Sequence, residues 1–173
     1  MTAKWTDFVS RAVLTAAQLN DVLDNFQDQA IFREEQANNT NGGNNTASTW
    51  TKRTLNTSVV NNIGATLSSS VVTVPAGTYY VNGRCPLYNV DRCKSRLQNT
   101  TSATTALIGD SDYAHPTNGG YAFATVEGII TVTANTNFEL QSWGRDTATN
   151  GLGIATNAST TEVYSTLRIV RIA

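Results

Sequence analysis

The sequence contains little charge and few residues that can hold a metal ion. Lysine and arginine together number 12, aspartate and glutamate 13, and the formal net charge is −1. This balance provides no general attraction to nucleic acid or to an anionic membrane surface. The single histidine, His115, is remote in sequence from both cysteines, so no metal site is predicted.

Cysteine is also scarce. The two cysteines, Cys85 and Cys93, are close enough in sequence to face each other across a tight hairpin. A disulfide between them is one interpretation. Free thiols are the other, and they are favoured if the chain is made in a reducing cytosol.

Long apolar runs are absent. No segment approaches the ~20 apolar residues that a membrane-spanning helix needs. The first residues lack the apolar centre of a secretory signal peptide. We therefore expect synthesis in a cytosol, no membrane insertion and no export by the usual route.

No catalytic constellation is apparent. Asp110, Ser111 and His115 share one segment, but the members of a catalytic triad normally meet through the fold rather than side by side. Asp110 and Asp112 resemble the first ligands of a calcium loop, yet the glycine and glutamate that complete such a loop do not follow. We expect no enzymatic activity and no cofactor, with a carboxylate pair that cleaves polysaccharide as the catalytic alternative.

A helical module is predicted at the N terminus, over residues 1–37. Thr15 and Gln18 have the spacing of a capping box. The asparagine- and glycine-rich residues 38–46 are predicted to be a flexible linker. The apolar residues after the cap recur every three or four positions, as on one face of a helix: Leu19, Leu23, Phe26 and Ala30.

From Ala47 onward, apolar and polar residues alternate as they do in half-buried strands. Predicted strands include Thr78–Val81, Tyr121–Val126 and Phe138–Trp143, with Gly, Pro and Asn in the turns between strands. Many short strands at such intervals are typical of a sandwich or barrel. Residues 47–173 are therefore predicted to form a mainly β domain.

The last predicted strand, Val163–Ile172, is apolar on both faces. One face is predicted to carry Val163, Leu167 and Ile169, and the other Tyr164, Val170 and Ile172. Burial of both faces favours a second subunit, with a sandwich corner or a covering N-terminal arm as the alternatives. Tyr164, Val170 and Ile172 are thus the predicted interface between subunits.

Arg92, Lys94 and Arg96 alternate, which places them on one face of a strand as a basic stripe. They are candidates for binding an acidic surface glycan or a lipopolysaccharide phosphate. The alternatives are pairing with acidic residues of a neighbouring subunit and protection of an edge strand.

Three stretches occur in an order that resembles the trimeric jelly-roll domains of the tumour-necrosis-factor and complement globular-head type, in their phage versions. They are Pro75–Val81, Thr131–Gln141 and Leu167–Val170. The resemblance implies an antiparallel jelly roll over roughly residues 47–173, and a homotrimer formed through the sheet that holds the last strand. The long polar region from Thr100 to Gly120 departs from the pattern of this family.

The segment Leu14–Asn20 resembles the N-terminal segments of many phage tail-fibre and spike proteins. The resemblance implies a virion protein, made in the host cytoplasm, that docks on a capsid, neck or tail component and attaches to the host surface through its β head. A host-surface glycan is then the candidate ligand, and a capsid decoration or cement protein without receptor binding is the alternative. The residues expected to dock on the virion are Trp5, Phe8, Leu19, Leu23 and Phe26.

Overall fold

A computed structural model describes Thr15, Ala16, Asn20 and residues 28–172 of the chain. Residues 28–172 contain eleven strands, and the pairings between these strands are antiparallel. The predicted mainly β, antiparallel class is therefore confirmed. The strands are β1 (Gln29–Gln36), β2 (Thr49–Lys52), β3 (Thr57–Asn61), β4 (Thr66–Ser68), β5 (Val71–Val74), β6 (Gly77–Tyr88), β7 (Asp91–Asn99), β8 (Thr104–Ala114), β9 (Tyr121–Val132), β10 (Thr136–Gly144) and β11 (Glu162–Arg171).

The strands form two sheets. The five-stranded sheet has the order β3-β1-β11-β6-β9. The six-stranded sheet has the order β4-β5-β10-β7-β8, and β2 also pairs with β10. From β5 onward nearly every connection crosses from one sheet to the other, so neighbouring strands come from distant parts of the sequence. This is the strand arrangement of a jelly roll.

The core lies between the sheets, because alternate side chains along each strand point inward. Gly83 of β6 marks a close approach of the two sheets, since a methyl group there would lie 2.8 Å from Leu140 Cδ1 of β10. A larger residue at position 83 would push the sheets apart. The cluster of buried apolar residues includes Phe32, Val72, Tyr79, Val81, Leu97, Val126, Phe138, Leu140, Leu167 and Ile169.

A buried ion pair connects β1, β6 and the loop before β11. Glu34 of β1 and Arg53, which follows β2, are both 0% exposed. Arg53 donates from Nε and Nη2 to Glu34 Oε2, at 3.0 and 2.8 Å. Arg53 also donates to the carbonyl oxygen of Leu152 at 2.6 Å and to that of Pro86 at 3.4 Å. One guanidinium group therefore holds three separate segments together.

The prediction of a helical module over residues 1–37 is wrong for its last part. Residues 29–36 form β1, which lies between β3 and β11. Ala30 and Phe32 alternate into the core, and the backbone of β1 pairs with both neighbours. A helix here would leave β11 unpaired along one edge, so sheet pairing prevails over the helical spacing. The other residues of the predicted apolar stripe lie outside the described part of the chain.

The prediction of a flexible linker over residues 38–46 is also wrong. This segment packs on the loop before β11, and Asn45 is only 1% exposed. Backbone hydrogen bonds join Gly42 N to Gly153 O at 3.0 Å and Asn45 N to Ala148 O at 3.0 Å. Asn41 and Asn44 accept hydrogen bonds from backbone N–H groups of this loop, and Asn45 donates to the carbonyl oxygen of Asp146. Residues 28–172 therefore form one β body that begins at β1 rather than at Ala47.

Both cysteines are free thiols in the interior. Cys85 of β6 is 0% exposed and Cys93 of β7 is 2% exposed. Burial disfavours the thiolate and raises the pKa of each cysteine to about 12. The two thiols are therefore protonated at neutral pH and behave as small apolar side chains.

Candidate functional site

The outward side of the five-stranded sheet carries a set of exposed apolar and aromatic side chains, which we call the apolar face. Cross-strand pairing places Val170 of β11, Tyr80 of β6 and Ile129 of β9 in one row. Ile129 is 61% exposed although it lies in the middle of a long strand. The apolar face consists of Tyr80, Tyr121, Phe123, Ile129, Val163 and Ile172, which are between 37% and 61% exposed.

Aromatic rings form a contiguous group at one end of this face. The ring centroids of Tyr121 and Phe123 are 5.0 Å apart, and those of Tyr88 and Tyr121 are 6.3 Å apart. The guanidinium of Arg84 lies 3.6 Å from the centroid of the Phe123 ring. These contacts order the rings on the surface without burying them.

Polar side chains in the middle of the face bind one another. Tyr80 Oη and Asn82 Nδ2 both donate to Glu127 Oε2, at 3.0 and 3.2 Å. The bond to Glu127 raises the pKa of the Tyr80 hydroxyl. In the neighbouring strand Arg168 Nε donates to Gln29 Oε1 at 3.1 Å. These polar groups already have partners, so covering the face would leave few of them unsatisfied.

The three residues predicted to form a subunit interface do not share one environment. Val170 is partly exposed and Ile172 is 46% exposed, outward from the buried Ile169. Tyr164 is only 4% exposed. A bulge in the pairing of β1 with β11 shifts the alternation, so Tyr164 turns inward and Val163 outward. Placing Tyr164 on the surface beside Val170 was therefore wrong.

Tyr164 is held within its own chain. Its hydroxyl donates to the carbonyl oxygen of Thr40 at 2.7 Å, and its ring packs against Gly153. A Cβ at position 153 would overlap the ring of Tyr164, and the φ of +135° at Gly153 also requires glycine. Burial raises the pKa of Tyr164 to about 12. Tyr164 thus anchors the segment that had been expected to be a linker.

A second surface lies on the outward side of the six-stranded sheet. A cleft of about 780 Å³ opens there, and four strands contribute to its lining. Pairing places Lys94 of β7 beside Trp143 of β10, which is itself beside Trp50 of β2. The residues that line this cleft are Trp50, Arg92, Cys93, Lys94, Ser111, Asp112, Tyr113 and Trp143.

The predicted basic stripe lies on β7, but its three members have different partners. Arg92 and Lys94 line the cleft. Arg96 instead donates to Gln141 Oε1 at 2.8 Å and to Thr105 Oγ1 at 3.1 Å, and its guanidinium lies 4.3 Å from the Trp50 ring centroid. Partial burial lowers the pKa of Arg96. Arg96 therefore supports the wall of the cleft, while Arg92 and Lys94 remain at its opening.

The cleft has an excess of positive charge. Within the described residues Lys94 forms no ion pair, and Arg92 lies 3.7 Å from Asp91, which is held more closely by Arg145. Asp112 also belongs to the lining, but it is the cross-strand partner of the buried Cys93, so its carboxylate leaves β8 on the inward side of the sheet and not beside Arg92 and Lys94. An anion would therefore meet two cationic groups that have little internal compensation.

The segment that contains Asp110, Asp112 and His115 shows no arrangement for catalysis. Asp110 and Asp112 lie in β8 rather than in a calcium loop, and Asp110 accepts a bond from Thr125 Oγ1 at 2.8 Å. His115 follows β8, and its Nδ1 accepts a bond from Thr117 N at 3.3 Å. Across the described residues no group of three His, Cys, Asp or Glu side chains is placed to hold a metal ion.

Sequence reasoning identified the cations of the cleft but missed its aromatic wall. Trp50, Tyr113 and Trp143 belong to three different strands, so only the pairing of those strands brings them together. The apolar face was anticipated only through the last strand.

In the part of the chain that the structure describes, no helix is both long and apolar enough to cross a membrane.

No protein-family model and no curated protein sequence matches the chain. Several solved structures share its fold. The globular domain of zebrafish complement 1qA is 12% identical, with a TM-score of 0.53 over 84% of this chain and 98% of that one. Eiger TNF from S. frugiperda is 14% identical, with a TM-score of 0.57 over 84% of this chain and 92% of that one. Murine APRIL is 10% identical, with a TM-score of 0.51 over 83% and 99% of the two chains. The chain therefore has the jelly-roll fold of complement globular heads and TNF domains, as the sequence resemblance implied.

Proposed function

We propose that this chain is the subunit of a non-enzymatic, homotrimeric attachment protein of a phage virion, with the jelly roll as its head. The apolar face is the observation that carries the proposal. It lies on the sheet that contains β11, and the domains that the sequence resembles form trimers through the sheet that holds the last strand. Two further copies of the chain are thus the proposed cover for this face.

The apolar face leaves several large hydrophobic side chains in contact with water. Soluble monomers seldom expose large contiguous apolar patches, and such patches usually mark interaction sites. Fully burying one large apolar side chain contributes roughly 1.5–3 kcal/mol, and Phe123 and Ile129 are 42% and 61% exposed. Because Glu127 and Arg168 already have polar partners, burial adds little desolvation cost that is left uncompensated.

The mass of the protein in solution tests the proposed assembly. Light scattering during size-exclusion chromatography should give about 56 kDa, three times the 18.6 kDa of one chain. The reason is that threefold closure covers the apolar face of every copy. A mass of 18.6 kDa that persists at micromolar concentration would contradict the trimer.

The proposal assigns virion docking to the N-terminal residues outside the described β body. Leu19 and Leu23 are two of the five residues expected to contact a capsid, neck or tail component. Replacing both with Asp should abolish incorporation into particles, because a charge buried without a partner at the contact costs several kcal/mol. The amount of protein in purified particles is the measurement.

The trimer mass and the circular dichroism of the same variant are the controls, and both should be unchanged because these residues precede β1. If the variant is incorporated normally, the β head must contact the virion. That result would favour a capsid decoration protein over an attachment protein.

A further inference from the structure

The aromatic wall of the cleft has no role in the core. Trp50 and Trp143 are cross-strand partners on the outward side of the six-stranded sheet, and both are only half-buried. Tyr113, across the cleft on β8, is 53% exposed. Tryptophan is highly buried on average, so two partly exposed indoles in one cleft call for a functional explanation.

Polar groups occur at the edge of this wall. Lys94 pairs with Trp143 on one side and with Ser111 on the other, so its side chain leaves β7 on the same face as that indole and that hydroxyl. Arg92 is the next outward residue of β7 and is the cross-strand partner of Tyr113. Ligand sites typically combine such apolar walls with a few convergent polar groups, in a volume of about 300–1,000 Å³. The cleft, at about 780 Å³, lies within this range.

From this combination we infer that the cleft binds a saccharide that carries an anionic group, a carboxylate or a phosphate. A pyranose ring has an apolar face of C–H groups and a rim of hydroxyls, and the indoles of Trp50 and Trp143 match the apolar face. Lys94 and Arg92 bind the anion through charge-assisted hydrogen bonds. Ser111, the outward cross-strand partner of Lys94, accepts a hydrogen bond from a ring hydroxyl. The inference rests on the proposed attachment function and names the class of ligand that the head recognises.

The same lining disfavours other occupants. A long polyanion such as nucleic acid needs many cationic contacts, whereas the lining of this cleft holds only two cationic side chains. A bare anion would contact only these two cations and would leave the indoles and Ser111 without a contact. A ligand with both hydroxyls and one anionic group satisfies all of these side chains.

The position of the cleft fits the proposed trimer. It lies on the six-stranded sheet, whereas the apolar face lies on the five-stranded sheet. Covering the apolar face therefore leaves the cleft open, and a trimer presents three clefts to its surroundings. A surface with many copies of one weakly bound sugar would then be held with an avidity well above that of a single site.

Isothermal titration of the full-length protein tests the inference. The acidic probes are trigalacturonate, which carries carboxylates, and mannose 6-phosphate, which carries a phosphate. The neutral probe is galactotriose, and inorganic phosphate is the bare anion. At least one acidic sugar should bind at least about tenfold more tightly than galactotriose and inorganic phosphate, because one hydrogen bond to a charged group accounts for such a factor.

Matched variants locate the site. Lys94→Ala and Tyr113→Ala should each weaken binding of the acidic sugar by about tenfold or more. Lys52→Ala is the control for the lost charge, because Lys52 lies on the same sheet but pairs with Glu139 at 3.6 Å. It should change the affinity less than twofold. Circular dichroism should be unchanged for all three variants.

Each contrary outcome overturns a defined part of the inference. Failure of both acidic sugars to bind, or binding that Lys94→Ala and Tyr113→Ala leave unchanged, overturns the site. If galactotriose binds as tightly as the acidic sugars, the ligand does not need an anionic group. If inorganic phosphate binds as tightly as they do, the ligand does not need a sugar ring. The cleft lies within one chain, so a trimer without sugar binding would leave the proposed assembly intact. If the protein is a monomer that nevertheless binds the acidic sugar, the proposed assembly is wrong and the inference about the cleft stands.

Discussion

Replacing Arg53 with Met should lower the free energy of unfolding by about 3–5 kcal/mol, because Glu34 would be left as a buried charge without a partner. Both side chains are 0% exposed, so water cannot take the place of the guanidinium. The carbonyl oxygens of Pro86 and Leu152 would also lose a donor. Denaturation in guanidinium chloride at one fixed protein concentration is the measurement, since assembly makes the stability depend on concentration.

Two further variants show whether the charge is the cause. Lys52→Met removes the neighbouring cation, whose pair with Glu139 is partly exposed, and should cost less than about 1 kcal/mol. Combining Glu34→Leu with Arg53→Met removes both charges and should recover most of the lost stability. If the double variant is as unstable as Arg53→Met alone, the packing of Arg53 and its bonds to the carbonyl oxygens would be responsible instead of the ion pair.

The sequence predicted the fold class because alternation along the strands is a local signal. The segment Thr78–Val81 shows this pattern, and β6 extends it in both directions to Gly77–Tyr88. The polar region from Thr100 to Gly120, which departs from the family pattern, contains β8. Much of β8 is exposed, so its residues alternate weakly and only their pairing with β7 reveals the strand.

The error at β1 has a physical cause that involves distant residues. Leu19, Leu23, Phe26 and Ala30 have helical spacing, and this spacing runs into the first residues of the strand. The alternation of Ala30 and Phe32 continues with Glu34, a residue type that is rarely buried unless it is paired. Its partner Arg53 comes from beyond β1 along the chain, so no local pattern distinguishes this strand from a helix.

In the candidate sites too, the sequence shows the residues that follow a pattern along one strand but not those that strand pairing brings together. The cations of the cleft lie on one strand and were visible as an alternating stripe. The tryptophans come from β2 and β10, whose pairing depends on the whole topology. For the apolar face, the last strand was correctly seen to be apolar on both sides. The bulge that buries Tyr164 depends on the register with β1, which the sequence does not show.

Substituting Ile129 with Asp should convert the proposed trimer into a folded monomer. Ile129 is 61% exposed in the single chain, so a carboxylate there costs the isolated subunit little. In a trimer formed through the apolar face, the substitution would bury one unpaired charge in each copy. Burying each unpaired carboxylate costs several kcal/mol, and the sum over three copies exceeds the free energy of association of most interfaces of moderate size. Light scattering should therefore give 18.6 kDa, the mass of one chain.

The matched control is Ile108→Asp, on the opposite sheet. Ile108 is 57% exposed on β8, so the chemical change and the exposure are nearly the same, but its pairing with Arg96 places it on the outward side of the six-stranded sheet. This variant should remain a trimer. Ile172→Asp, at the end of the predicted interface strand, should dissociate the trimer like Ile129→Asp. Unchanged circular dichroism would show that Ile129→Asp prevents assembly rather than folding. If both Ile129→Asp and Ile172→Asp remain trimeric, subunits must associate through a different surface, and the apolar face would be free for another partner.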